Sequence, residues 1–137
     1  MERNQVELQL NDSQTDFRQL LQESPMPTSI YSGKHMVIEF ANAAMLKLWG
    51  KDASVIGKRL KDALPELDGQ PFHVLLDRVF STGIPYETED GRADLVVGGV
   101  LRTFYFNFTY KPLKDASGKT YAILNTAVDV SSHVRTK

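Results

Sequence analysis

The 137-residue chain contains no cysteine. This excludes disulfides, thiolate catalysis and cysteine-ligated metals, and it suits a reducing compartment. Histidine is scarce as well: His35, His73 and His133 stand apart, with no acids at metal-ligand spacing around them. Neither sign of charge dominates, with 16 basic and 17 acidic residues giving a formal charge of −1. Without a block of like charge, neither a nucleic-acid footprint nor a polybasic membrane patch is expected. The first ten residues are too polar for a signal peptide, and no apolar run approaches the length of a membrane span. A cytoplasmic protein, or a cytoplasmic piece of one, is the expectation. Internal repeats, low-complexity tracts and Gly-rich phosphate loops are also missing, and Ser29, Ser32 and Ser54 lie in no nucleophile motif.

What is present suits one soluble domain able to bury a core, with 42% apolar and 24% charged residues. The most informative stretch is Leu101–Tyr110. Phe104, Phe106, Phe108 and Tyr110 alternate with Thr103, Tyr105, Asn107 and Thr109, the period of a strand with one strongly apolar face. Those rings either fill a core or line a cavity.

Local signals organise the rest. Val6, Leu10, Phe17, Leu20 and Leu21 recur at helical intervals among polar residues and predict an amphipathic N-terminal helix, stopped by Pro25 and Pro27. Thr28–Tyr31 and Met36–Phe40 predict two short strands joined at Gly33. Asn42 is placed to cap a helix Ala43–Trp49 that Gly50 ends. Short helical pieces are expected around Ser54–Ile56 and Leu60–Leu64, then a longer helix Pro71–Ser81 with Gly83 beyond it. Strands are expected at Pro85–Glu89 leading into Leu95–Val97, at Val100–Tyr110 and at Lys119–Val130. This order favours an α+β fold: an antiparallel sheet with short helices packed on one face. In the last strand Tyr121, Ile123, Asn125 and Ala127 share one face; Ala122, Leu124, Thr126 and Val128 share the other. The second set is apolar enough to need a cover, supplied by the N-terminal helix or a second subunit.

With these pieces in order, the chain resembles a PAS domain, a sensory module of bacterial signalling proteins. The resemblance runs from Phe17 to Ser132. It rests on Phe17-x-x-Leu20 leading to Ser24-Pro25, on Gly33, and on Glu39-Phe40-Ala41-Asn42-x-Ala44. It continues through Val55-x-Gly57-Lys58, Gly83-x-Pro85, Pro112-Leu113-x-Asp115-x-x-Gly118 and the terminal Asp129-Val130-Ser131. It implies a five-stranded antiparallel sheet whose inner face meets the short helices across a pocket. It divides the chain into a helical cap or dimerisation segment (1–24), a core (25–130) and the start of a signalling linker (131–137). Signals would leave near Asp129 and Ser131 toward an output domain, a histidine kinase of a two-component system being the expected type, and a homodimer is expected.

The resemblance also sorts the cofactors. Light-sensing members carry a reactive cysteine where Gly57-Lys58-Arg59-Leu60-Lys61 has Leu60, so flavin–cysteine photochemistry is excluded. Haem would need His73, which reads more simply as a surface residue. A small apolar or aromatic ligand remains, with Leu46, Trp49, Leu60, Phe104, Phe106, Phe108, Tyr110, Ile123 and Asn125 as pocket candidates. The competing reading is a ligand-free dimerisation domain in which the rings simply fill the core. Asn125 resists that reading, because a buried amide needs partners. A small cone-shaped α+β enzyme would need an acid or base facing inward, and the inner faces offer only Asn125 and Tyr110. Glu87/Glu89 and Asp90/Asp94 read as solvated charge on a strand and its loop, and Asp129 as the partner of Arg135 in an exposed ion pair.

Overall fold

The structure is a computed structural model that describes residues 18–132. Residues 18–23 are helical; Val6, Leu10, Phe17, His133 and Arg135 lie outside the described residues. Five strands follow: β1 (Thr28–Ser32), β2 (Val37–Ala41), β3 (Tyr86–Val97), β4 (Val100–Lys114) and β5 (Thr120–Asp129). They form one antiparallel sheet in the order β2-β1-β5-β4-β3. Between β2 and β3 run three α-helices, α1 (Ala43–Trp49), α2 (Leu60–Ala63) and α3 (Phe72–Thr82), with 3-10 turns at Ala53–Val55 and Pro65–Leu67.

Helix α1 has the ends its local chemistry dictates. The Asn42 side chain accepts the Met45 N–H, and Gly50 closes the helix in the left-handed region at φ 69°. A Cβ on Gly50 would stand 2.9 Å from the Val97 Cα, so only glycine lets α1 meet the end of β3. Asn42 is wholly buried and does more than cap. Its Oδ1 also accepts the Thr28 N–H at 3.1 Å, and its Nδ2 donates to Leu21 O and Met26 O, each at 2.8 Å. One side chain thus ties the N-terminal segment, the start of β1 and the start of α1 together.

Both edges of the sheet are paired over part of their length. On β2, the Ile38 N–H donates to Lys58 O, and the Gly57 and Leu60 N–H groups donate to Ile38 O and Met36 O. On β3, side chains stand in for a sixth strand. The Asp94 N–H donates to Gln70 Oε1 and Asp94 O accepts from Gln70 Nε2. The Val96 N–H donates to Glu66 Oε2 and Val96 O accepts from Lys51 Nζ. Where an edge is paired in this way it does not recruit another strand.

One expectation needs correction. Residues 90–94 are not a loop: β3 is continuous from Tyr86 to Val97, with a bulge between Thr88 and Gly91, so Asp90 and Asp94 sit within the strand. Tyr121, which alternation places on one face with Ile123, Asn125 and Ala127, is 53% exposed.

Candidate functional site

The inner face of β4 meets the helices as the alternation predicts, and the outcome lies between the two expectations for its rings. Phe106, Phe108 and Tyr110 are buried. Phe108 packs edge-on against Phe72 at 5.7 Å and against Tyr110 at 5.0 Å between ring centroids, the arrangement aromatic quadrupoles favour. Close packing does not use all the space. A cavity of about 50 Å³ remains between sheet and helices, several times the volume one water requires.

Of the residues expected to form a pocket, Trp49, Leu60, Phe106, Phe108, Tyr110 and Asn125 line this cavity. Leu46, Phe104 and Ile123 do not, and for each the cause is position. Phe104 lies toward the β3–β4 turn, half-buried, and stacks on Phe106 at 6.0 Å. Ile123 is fully buried but belongs to the β1–β5 core opposite Tyr31. Leu46 packs on the flank of the core. Sequence reasoning passed over Tyr31, Met45 and Phe72, all three on the wall. Alternation puts Ser29 and Tyr31 on one face of β1, but only pairing with β5 shows that this face looks inward.

That pairing sets Ser29 opposite Asn125 and Tyr31 opposite Ile123, and it builds a buried polar chain. Ser29 Oγ donates to the Tyr31 hydroxyl at 2.9 Å, and Asn125 Nδ2 donates to the same hydroxyl at 2.8 Å. Burial pushes the Tyr31 hydroxyl up to about 12, against the opposing pull of these two donors. Burial also raises Tyr110 well above its ordinary value, with Tyr31 and Tyr86 adding to it. Both phenols are neutral at physiological pH, as tyrosine ordinarily is, and burial extends that range upward. Asn125, 7% exposed, is left with an Oδ1 that has no partner.

The end of β5 is fastened to β4 one residue from the cavity. Phe106 pairs with Asp129 across the ladder. Just beyond, the Val130 N–H donates to Tyr105 O at 2.8 Å, and the Tyr105 N–H donates to Ser131 Oγ at 3.0 Å. Asp129 turns back on this step: its Oδ1 accepts from the Ser131 N–H at 2.9 Å and from Ser131 Oγ–H at 2.5 Å. The partner anticipated for Asp129, Arg135, lies outside the described residues.

His73 is half-buried and opens, with His35, Lys34 and Lys61, onto a separate surface hollow rather than onto the cavity. Among the described residues, no three His, Cys, Asp or Glu side chains are placed to hold a metal, and no helix is long and apolar enough to cross a membrane.

A family model described as the PAS fold matches residues 21–135. Among solved structures, an RNA-binding light-oxygen-voltage receptor superposes with a TM-score of 0.71 at 15% identity, over 88% of this chain and 33% of that one. The chain thus spans about a third of that receptor's length. The PAS domain of Bordetella pertussis BvgS gives a TM-score of 0.64 at 23% identity, over 91% of this chain and 93% of that one. A sensory box sensor histidine kinase from Vibrio cholerae gives 0.58 at 16% identity, over 92% and 98%. At such identities the likeness is one of fold.

Proposed function

The chain belongs to the PAS fold family, and from that premise we propose that it is a sensory domain whose inner cavity takes up a small ligand. The observation that carries this reading is the unpartnered Asn125 Oδ1 on the cavity wall. A buried acceptor left unpaired costs about 1–3 kcal/mol, and a ligand donor removes that cost. Occupancy shifts the population of two packings of the inner sheet. Phe106 stands in the wall and pairs with Asp129, while the adjacent Tyr105 N–H is held by Ser131. A displaced Phe106 therefore bears directly on the point where the chain leaves the sheet, through a contiguous set of bonds.

In this reading the segment performs no catalytic step and passes its state to a following output domain, a histidine kinase by analogy of fold with the Vibrio cholerae structure. It works as a homodimer. Support comes from the outer sheet face, where exposed Met26 and Val128 border a groove of about 440 Å³. The 1–24 segment would contribute to that seam.

A second reading, a ligand-free dimerisation domain, is favoured by one observation: the cavity measures only about 50 Å³. Native mass spectrometry of freshly purified chain, with a thermal-shift screen of metabolites, separates the two. A bound mass or a saturable shift that Asn125→Leu weakens supports the sensory reading. Neither signal, in a chain that is dimeric by light scattering, supports the structural one.

A further inference from the structure

Resting on the reading that the cavity is a ligand site, we infer that its occupant is an uncharged, mainly apolar small molecule that donates one N–H or O–H to Asn125 Oδ1. Charge is the first constraint. The wall contains no Asp, Glu, Lys, Arg or His, and its two phenols are neutral at physiological pH. An ion entering would lose its hydration and find no countercharge.

Hydrogen-bond polarity is the second constraint. Asn125 Nδ2 is already committed to the Tyr31 hydroxyl, which also takes the Ser29 hydroxyl. Among the described residues the carboxamide Oδ1 is the buried side-chain polar atom left without a partner, so the matching ligand group is a donor. A water finds polar partners in Asn125 and the tyrosine hydroxyls. The rest of the wall, with Trp49, Leu60, Leu95 and Phe106, is apolar, so an occupant with an apolar body covers more of it.

Size is the third constraint. The volume is about 50 Å³, roughly a third of the ~150 Å³ that holds benzene in a leucine-lined cavity. The occupant is a molecule of few heavy atoms, admitted with some give from Met45 and Leu48 on the wall.

Three five-membered rings of nearly equal shape test this: pyrrole donates an N–H, furan presents only an acceptor, and thiophene offers neither. Each is titrated into the whole chain, followed by amide shifts of Tyr110, Asn125 and Ala127 in nitrogen-15 NMR spectra. Pyrrole is expected to bind about 3- to 10-fold more tightly than thiophene, the worth of one neutral hydrogen bond. Asn125→Leu is expected to erase that preference while all three rings still bind. Equal affinities in the unaltered chain, a preference for furan, or a pyrrole preference that survives in Asn125→Leu would each overturn the inference and leave the ligand site standing. If no ring shifts those amides, the ligand-site reading itself fails. The three-ring comparison needs only the unaltered chain, so it holds whether or not the variant folds.

Discussion

Gln70 makes with Asp94 the two hydrogen bonds that a neighbouring strand would make. Its Nε2 donates to Asp94 O at 2.9 Å and its Oε1 accepts the Asp94 N–H at 2.8 Å. Glu66 and Lys51 repeat the device at Val96. The open edge of β3 is thereby sealed at Asp94 and Val96 without a strand.

Gln70→Ala removes both bonds and bares the Asp94 backbone. It is expected to cost about 1–3 kcal/mol in urea unfolding and to add a concentration-dependent association through the freed edge. Light scattering across a dilution series checks the second effect. A variant that loses stability but keeps the parent's association state would show that the seal does not guard the edge.

Asn42 permits a separation of two roles. Asn42→Asp keeps an oxygen for the Met45 and Thr28 N–H groups but loses the Nδ2 donor, and so abandons Leu21 O and Met26 O. Were capping the whole role, aspartate would be nearly neutral. It is expected instead to cost about 1–3 kcal/mol, with amide exchange accelerating in residues 21–28 ahead of α1. Asn42→Ala is expected to cost more, since it loses the cap as well.

The same contrast shows what the sequence made legible. Helix α1 has its predicted bounds, because Asn42 and Gly50 act on neighbours within a few residues. The continuity of β3 was hidden, since Glu89-Asp90-Gly91 reads locally as a turn. Pairing with β4 overrides it: the chain passes through a bulge where Asp90 takes φ 55° and its N–H donates to Asn107 Oδ1. The aromatic face of β4 was visible from alternation alone. The Ser29–Tyr31–Asn125 chain was not, because Tyr31 and Asn125 meet across 94 positions through a register no local pattern specifies. The Gln70 and Glu66 seals were missed for the same reason.

Acid is expected to loosen the clamp at Val96. Burial alone would raise the Glu66 carboxyl, but hydrogen bonds from Lys51 and the Val96 N–H outweigh it and hold the group below the ordinary glutamate value. A carboxyl depressed on folding contributes in full above its unfolded value, near pH ~4.3. The contribution is lost as pH falls from there through the folded value. Stability should therefore decline below about pH 4.3. Glu66→Gln should be less stable at pH 7 by about 1–3 kcal/mol and show a shallower decline. Parallel stability–pH curves for the two proteins would refute the assignment.

Gly91 places the cavity under a steric constraint of its own. A Cβ there would lie 2.8 Å from Phe108 Cε1 and 3.1 Å from Thr88 Cγ2. Gly91→Ala must therefore drive the Phe108 ring toward Phe72 and Tyr110, against which it already packs. Overpacking of this kind costs about 1–3 kcal/mol. The free volume beside Phe108 gives the ring somewhere to go, which places the expected cost at the lower end and directs the damage to the cavity. Ring binding should weaken more than stability does. Phe108→Leu shortens the opposing side chain and relieves the contact, so the double variant should be more stable than the sum of the two single changes implies. Additive costs in that cycle, measured by urea unfolding, would mean that alanine at position 91 is accommodated by the backbone and leaves Phe108 in place.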